Sequence, residues 1–337
     1  MRKAEVILEY QNLIDAPPVT PRALYQQACS NDDATINHWQ HIWLANITTN
    51  KSRFGSFAER SASQEFKKFQ YQPVVIAGSG PSLKGNAHEL LNRGSIPLVS
   101  CLHNFHYFED LGVTPEYYVT LDAGPVTIEE VSEGGSRTAD EYWALTKDRT
   151  LIAFIATDPR LLEKWQGKIL FFNSPLPSAE LVQKFDEIET FNCLMSTGGN
   201  VLGACLYFAK GILGASEIIF IGADFCFGYD HKFHAWDSKY DKDLGQTIAC
   251  TDIFGIKRKT WASYYNFKGY FDSVPLRLPG IYYNCTEGGC LGAYPEGNIA
   301  AFKYLDLKDC LKILNMNNAL LQNMTDPGIG PKTILYS

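Results

Sequence analysis

The chain has 337 residues, which is enough for one large α/β domain with additions or for two domains. Its net charge of −7 at pH 7 argues against a broad surface for nucleic acid or for an anionic membrane. No run of about 18 apolar residues is present, so no membrane span is expected. The nine cysteines form no C-x-x-C pair, and the chain start lacks the apolar core of a signal peptide. These features favour reduced thiols in a cytoplasmic protein.

The first segment, residues 1–70, is polar with scattered aromatic residues. Within 24–45, apolar side chains such as Trp39 and Trp43 recur at helical spacing, which predicts a helix. We expect this segment to be a helical arm that packs on the core or on another subunit. A homo-oligomer is therefore compatible with the sequence.

Residues 72 to about 222 alternate short apolar runs with helical segments, of which 199–213 is the clearest. The predicted strands are 73–77, 97–102, 117–121, 150–156, 168–172 and 217–222. This alternation predicts an α/β fold, with a Rossmann-like, mostly parallel sheet and helices on both faces. Ligands of such sheets bind beyond the carboxyl ends of the strands, so the residues after each strand are the candidates.

The first predicted strand ends in the turn Gly78-Ser79-Gly80-Pro81-Ser82. Glycine at 78 and 80 allows a sharp turn and a close approach to a ligand, and Pro81 suits the first turn of a helix. Such turns bind anions, usually nucleotide phosphates, but they also occur as plain connectors. No Gly-Lys-Ser/Thr follows and the third glycine of the dinucleotide fingerprint is missing. The turn therefore favours neither a P-loop nor NAD.

A second glycine turn, Ser196-Thr197-Gly198-Gly199-Asn200, opens the helix predicted at 199–213. Serine and threonine are good N-caps, and paired glycines can turn their N–H groups towards a ligand. The segment is either a second ligand contact or a simple capped helix start.

Two of the predicted strands are followed by a single carboxylate, Asp122 and Asp224 respectively. A carboxylate at the end of a strand can hold a metal, a ribose hydroxyl or an acceptor group. Helix capping or hydrogen bonding within a loop is the alternative for both residues.

The segment 223–260 is a long polar and aromatic excursion, which indicates a functional loop or a lid. It contains His231 and His234, whose spacing matches no zinc pattern. Either histidine could act as a general base, since its ordinary pKa lies near neutrality, or could be a surface residue without a role.

A helix at about 260–272, a short strand at 281–283 and a helix at 304–316 complete the predicted elements. The turn after the short strand contains Glu287 and Gly288, which either close over a ligand or form a plain β-turn. The predicted parts of the chain are an arm (1–70), a nucleotide-binding catalytic domain (71–295) with the lid-like loop 223–260, and a C-terminal helix and tail (296–337).

Several of these motifs, taken in order, resemble the MptE-like family. This family includes archaeal 6-hydroxymethylpterin diphosphokinases and bacterial motility accessory factors (Maf proteins). The matching segments are Val75–Leu83, Leu111–Asp122, Gly198–Val201, Leu213–Ala215 and Ile221–Phe225. Segments that resemble the Maf branch are Ala45–Asn50, Thr251–Gly255 and Asn284–Gly289.

A second resemblance is to bacterial sialyltransferases that use CMP-sialic acid. It rests on Ala77–Leu83, His103–Asp110, Ser196–Gly198 and Ile221–Phe225. The resemblance implies that a cytidine nucleotide is lined by Gly78, Ser79, Ser82, Asn104, Thr197 and Gly198. Ser79 departs from the pattern, because those enzymes carry asparagine there. They also use a loop histidine as base and tyrosines near the phosphate, for which His234 and Tyr229 are the nearest candidates.

Together these features predict a glycosyltransferase that moves a nonulosonic sugar from a CMP donor to a hydroxyl of an acceptor protein or glycan. The expected catalytic residues are His234, His231 and Asp224. The expected nucleotide contacts are Gly78, Ser79, Gly80, Ser82, Asn104, Asp122, Thr197, Gly198, Gly199 and Tyr229, with Glu287 and Gly288 at the acceptor side.

Two other functions stay open at this point. The first is a pyrophosphokinase that uses ATP with Mg²⁺ held by Asp122 and Asp224. The archaeal diphosphokinases, however, have a denser acidic segment than Thr120–Gly124. The second is a non-catalytic nucleotide-binding accessory module. No cofactor is firmly predicted, and Mg²⁺ belongs to the first alternative alone.

Overall fold

The computed structural model describes residues 21–176, 178–238 and 246–325. Side chains are described for 35–176, 178–238 and 246–316. The segment 239–245 of the expected lid and the tail after 325 lie outside the described residues.

An eight-stranded sheet, in which every pair of neighbours is parallel, forms the centre of the molecule. Its strands are β1 (Pro73–Ala77), β2 (Leu98–Cys101), β3 (Tyr117–Thr120), β4 (Thr150–Phe154), β5 (Lys168–Phe172), β6 (Glu217–Ile221), β9 (Ile281–Asn284) and β10 (Phe302–Tyr304), while β7 (Thr247–Thr251) and β8 (Lys257–Trp261) form a separate antiparallel hairpin. The central strands are buried along almost their whole length. Such strands appear in the sequence as unbroken apolar runs. The predicted α/β fold with a parallel sheet is confirmed.

The strand order is β10-β9-β6-β1-β2-β3-β4-β5. From β1 the chain moves outward to β5 and then returns to place β6 on the other side of β1. The order reverses between β1 and β6, and this reversal opens a crevice at their carboxyl ends. A crevice of this kind is where open α/β sheets bind ligands.

The helices pack around this sheet and connect its strands. They are α1 (Pro21–Phe54), α2 (Leu83–Asn86), α3 (Phe105–Leu111), α4 (Val126–Glu130), α5 (Ala139–Leu145), α6 (Pro159–Lys164), α7 (Ala179–Ile188), α8 (Val201–Tyr207, continued by a π-helical turn to Ile212), α9 (Ala262–Asp272), α10 (Val274–Arg277) and α11 (Leu307–Thr325). None of the described helices combines the length and the apolar character needed to cross a membrane.

Helix α1 lies within the predicted arm, of which residues 1–20 lie outside the described residues, and it packs on the core of its own chain. The side-chain amide of Asn46 donates to the carbonyl groups of Ala123 and Ala156, both at 3.0 Å. Asn50 donates in the same way to Ile155 and Thr157. Two asparagines on one helix face thereby hold the loops that follow β3 and β4.

The sequence did not predict β7, β8 or β10. The run Lys257-Arg258-Lys259 in β8 is a compact basic stretch of the sequence, but Arg258 is buried and donates to Asp252 at 2.9 Å. Strand β10 has three residues and extends the main sheet beside β9. The part of the expected lid-like loop from 246 to 260 is therefore mostly an ordered hairpin.

Candidate functional site

The turns that follow β1 and β6 are locked together by backbone hydrogen bonds. Gly78 N–H donates to Ile221 O at 2.9 Å, and Gly80 N–H donates to Gly222 O at 2.8 Å. A Cβ atom at position 78 would lie 2.4 Å from the oxygen of Gly222, which no side chain tolerates. Glycine at 78 is thus required by the neighbouring strand turn, and two of the amides expected to bind phosphate are already occupied.

Asp224 occupies the third donor group of the same turn. Its carboxylate accepts from the Ser82 hydroxyl at 2.7 Å and from the Ser82 N–H at 3.2 Å. Burial raises the pKa of Asp224 to about 7, although the hydrogen bonds from Ser82 act in the opposite direction. The negative group at this helix start is supplied by the protein itself.

Three cavities follow the carboxyl edge of the sheet, and the first, the inner cavity, lies between the two locked turns. It has a volume of about 100 Å³ and is lined by Gly78, Ser79, Gly80, Asp224 and Asn200 among others. Ser79 also lines the next cavity, so it is the residue of the first glycine turn that faces both spaces.

The central cavity lies beyond β2 and β3 and has a volume of about 410 Å³. This is within the range of ~300–1,000 Å³ that small-molecule sites occupy. Its polar lining residues are Ser79, His103, Thr120, Asp122, Glu130, His234 and Tyr264. The structure thus brings together Asp122, His234 and Ser79 from three distant sequence segments.

Two carboxyl groups face the central cavity. Asp122 lies on the cavity wall, and solvent reaches its side chain. The protein atoms around the carboxyl group nevertheless reduce its solvation, which raises its pKa. Burial raises the pKa of Glu130 to about 8, with smaller contributions from the charges of Asp122 and Glu133. Two carboxyl groups that share one cavity and have raised pKa values are typical of acid–base sites.

His234 is held among aromatic rings at the entrance side of the central cavity. Its ring lies 4.7 Å from that of His103 and stacks on Trp236 at 5.6 Å between centroids. His103 lies 3.4 Å from a carboxylate oxygen of Glu133, which also accepts from the Ser238 hydroxyl at 3.0 Å. His234 is therefore oriented by packing, and the neighbouring imidazole has a carboxylate partner.

The outer cavity lies beyond β3, β4 and β5 and has a volume of about 420 Å³. It is lined by Thr35, Trp43, Leu121, Phe154, Ser174, Pro175, Leu176, Ser196, Thr197, Gly198 and Gly199. Leu121 and Asp122 are consecutive, so the end of β3 separates this cavity from the central one. The second glycine turn, with two glycines at positive φ, forms one wall, and the rings of Trp43 and Phe154 lie among the other lining groups.

Asn104, expected to contact a nucleotide, instead supports the first glycine turn. Its side-chain amide donates to Gly78 O and to the Ser100 hydroxyl, both at 3.0 Å. The side chain is fully buried and does not line any of the three cavities.

Tyr229 and His231 lie away from the three cavities. The Tyr229 hydroxyl donates to Asp252 at 3.2 Å, and the guanidinium of Arg258 lies over its ring at 3.2 Å. His231 is exposed, at positive φ, in the tight turn that Gly228 begins. Of the two expected histidines, His234 alone lines the central cavity.

Glu287 fastens the C-terminal helix to the core. Its carboxylate accepts from Leu307 N–H at 2.9 Å, at the start of α11, and from the Asn86 amide at 3.1 Å. Gly288 lies against Ser82 and Asp224. The turn therefore packs behind Asp224 and borders none of the three cavities.

Sequence reasoning missed several residues of the cavity walls, namely Trp43, Glu130, Phe154 and Tyr264. His103, which follows the predicted strand 97–102, was one of the candidates of the strand-end rule, and it lines the central cavity. Trp43, Glu130 and Tyr264 belong to helices whose faces cannot be assigned to a distant cavity without the fold.

The charge of the three cavities is uneven. None of their lining residues within the described chain is a lysine or arginine, and the central cavity contains two carboxyl groups. A strongly charged anion such as a free triphosphate is disfavoured there without an accompanying cation. A polyhydroxylated ligand suits the central cavity, because carboxylates accept hydrogen bonds from hydroxyls.

Comparison with known proteins gives a family and a fold neighbour. Residues 43–230 match the sequence family described as 6-hydroxymethylpterin diphosphokinase MptE-like. No curated protein matches the chain. The fold is similar to that of a Maf glycosyltransferase from Magnetospirillum magneticum AMB-1, with a TM-score of 0.52 and 14% identity. That alignment covers 82% of this chain and 42% of the other, so this chain spans less than half of that protein's length.

Proposed function

The chain belongs to the 6-hydroxymethylpterin diphosphokinase MptE-like family, and we propose that it is a glycosyltransferase that moves a sugar from a nucleotide donor to an acceptor hydroxyl. The observation that carries the proposal is the pair of neighbouring cavities of about 400 Å³ on either side of the end of β3. Transfer between two substrates needs two adjoining sites that meet at a reactive group.

The nucleotide is proposed to occupy the outer cavity. Aromatic rings and small polar groups surround this space, and it contains no carboxylate. The hydroxyls of Ser196 and Thr197 in the second turn line this cavity and can bond to sugar or phosphate groups. The name of the structural neighbour, a Maf glycosyltransferase, agrees with this use of the fold.

The acceptor is proposed to occupy the central cavity, where His234 takes the proton of the attacking hydroxyl. Glu130 is a second candidate for that role, because its raised pKa of about 8 makes it an effective base once it is ionised. The oxygen of the acceptor then attacks the anomeric carbon, the bond to the phosphate breaks, and the nucleotide leaves with that electron pair.

A CMP-activated nonulosonic acid is the proposed donor. Its nucleoside carries a single phosphate, which needs less neutralisation than the di- or triphosphate of other donors. Cavities whose described lining residues include neither lysine nor arginine suit that smaller charge. The resemblance of the glycine turns to those of CMP-dependent sialyltransferases is a separate argument for the same donor.

A nucleotide panel tests the donor class. CMP should raise the melting temperature of the purified protein without added metal, and UDP and GDP should raise it less. If CMP gives no shift while GDP or UDP does, the CMP donor is refuted and the transferase remains. If no nucleotide binds, the transferase proposal itself fails.

The His234→Gln variant tests the proposed base. We expect kcat for transfer from CMP-sialic acid to a sugar acceptor to fall by about 10²–10⁴-fold with CMP binding retained. The matched control is His231→Gln, which changes an exposed histidine of the same loop. Equal activity of the two variants would remove His234 from the mechanism and leave Glu130 as the candidate.

Diphosphate transfer from ATP is the second candidate function, and the two carboxyl groups of the central cavity favour it. Asp122 and Glu130 supply oxygen ligands of the kind that Mg²⁺ prefers. Asp224, the other expected Mg²⁺ ligand, lines a different cavity and is bonded to Ser82. A melting-temperature increase with ATP that appears only when Mg²⁺ is added, together with AMP release in the presence of a pterin alcohol, would favour this function over the transferase.

A further inference from the structure

Three buried cysteines from separate segments meet beside the inner cavity. Cys226 follows β6, Cys250 lies in β7 and Cys290 follows β9. Their sulfur atoms all lie within 4.8 Å of one another, and none of the three residues is more than 7% exposed. Within the described residues, this is the one group of three or more metal-ligating side chains that the fold brings so close together.

The surroundings of these sulfur atoms are more polar than an ordinary thiol cluster in a core. The carbonyl oxygen of Phe225 accepts from the Cys290 thiol at 3.4 Å and from the Thr260 hydroxyl at 2.6 Å. The ammonium of Lys268 is also buried, and it is paired with the carboxylate of Asp272 at 2.5 Å. The Phe225 carbonyl thus places an oxygen atom next to the sulfur of Cys290.

We propose that Cys226, Cys250 and Cys290 together bind one thiophilic metal ion, with Zn²⁺ as the first candidate. Zinc–sulfur bonds of ~2.3 Å in tetrahedral geometry place the sulfur atoms about 3.8 Å apart. The present sulfur–sulfur distances are at most 4.8 Å, so each pair of sulfur atoms needs to approach by at most about 1 Å to complete the site. Each thiol loses its proton on binding, and an oxygen such as that of Phe225 or of a water takes the fourth position.

The metal would hold the β7–β8 hairpin against the main sheet. A two-stranded hairpin outside a larger sheet is only marginally stable by itself. Cys250 belongs to the hairpin, whereas Cys226 and Cys290 follow strands of the sheet. Cys290 N–H also donates to Asp224 O at 2.7 Å, so the same site would stiffen the wall of the inner cavity.

Metal analysis of the purified full chain tests this site. Protein is prepared under reducing conditions without chelator, and its metal content is measured by elemental mass spectrometry. We expect about one zinc ion per chain. The Cys250→Ala variant should lose that zinc. The control is Cys205→Ala, which removes another buried thiol, whose sulfur lies 4.0 Å from that of Cys101. Cys205→Ala should retain the metal.

A second measurement covers the case in which Cys250→Ala does not fold. Metal-free wild-type protein is titrated with Co²⁺, and charge transfer from thiolate to cobalt should give a near-ultraviolet band that saturates at one equivalent. Zn²⁺ should abolish that band and raise the melting temperature. Reduced protein that contains no zinc and gives no band would overturn the proposal, as would a disulfide between two of the three cysteines in freshly prepared protein. Neither result bears on nucleotide binding, so the proposed function is tested separately.

Discussion

The two glycine turns of the molecule have similar sequences and opposite surroundings. Gly78 faces the backbone of the turn after β6, and the amides of its turn bond to that backbone and to Asp224. Gly198 and Gly199 instead line the outer cavity, and the groups nearest to their Cβ positions are aromatic rings of α9. The comparison teaches that internal packing requires the glycines of both turns, against backbone in the first turn and against aromatic rings in the second.

The largest effect on stability should come from Gly78→Ala in the first glycine turn, which is hydrogen-bonded to the turn after β6. The new Cβ would lie 2.4 Å from Gly222 O, so the two strand turns must separate. We expect a loss of about 2–4 kcal/mol in the free energy of unfolding, measured by chemical denaturation. Gly85→Ala is the control, because Gly85 is an exposed helical residue with no atom within 4 Å of its Cβ position. It should be neutral or slightly stabilising, and a similar loss in both variants would contradict the locked arrangement.

The next largest effect is the pH dependence of stability that Glu130 causes in the central cavity. Its pKa is about 8 in the folded chain against an ordinary 4.5, so the folded state holds its proton more tightly than the unfolded state. Stability should therefore fall as the pH rises from about 5 to about 8, and Glu130→Gln should remove about 1–3 kcal/mol of that fall. The other titratable groups around this cavity are Asp122, Glu133, His103, His106 and His234. Denaturation at pH 5 and pH 8 measures the difference, and an unchanged slope in the variant would assign it to one of those groups.

Ser82→Ala tests the same first glycine turn, with a smaller expected loss of stability. It removes the 2.7 Å hydrogen bond to the buried carboxylate of Asp224 and should lower the free energy of unfolding by about 1–2 kcal/mol. Ser52→Ala, at an exposed position of α1, should stay within about 0.5 kcal/mol of the wild type. A strong loss of nucleotide affinity in Ser82→Ala without any loss of stability would indicate that Ser82 contacts the nucleotide.

Thr197→Val should have the smallest effect on stability and a visible one on binding. The change keeps the side-chain shape and removes a hydroxyl that lines the outer cavity and accepts an exposed hydrogen bond from the Gly199 N–H at 3.3 Å. We expect CMP affinity, measured by calorimetry, to fall by about 5–10-fold with little change in melting temperature. Thr48→Val, which alters an exposed threonine of α1, is the matched control. An unchanged CMP affinity in Thr197→Val would indicate that the nucleotide binds in another cavity.

The sequence was sufficient for the parallel sheet and its helices, because buried parallel strands are unbroken apolar runs. It was not sufficient for the β7–β8 hairpin, since the charges of Lys257, Arg258 and Lys259 hide the alternation of a strand whose arginine is buried against Asp252. The strand-end rule placed Asp122 and Ser79 at the cavities. It could not reveal that Ser82 and Asn104 bond to the protein itself, because their partners are a carboxylate 142 residues away and a backbone carbonyl 26 residues away.

The contacts of Asn46 and Asn50 have a consequence for the order in which the chain folds. They join α1 to loops that lie 77 to 110 residues further along the sequence. Contacts of such separation form only after the intervening chain has been synthesised and its loop closed, which is slow. During translation, α1 must therefore wait until β4 has left the ribosome before the wall that contains Trp43 can form.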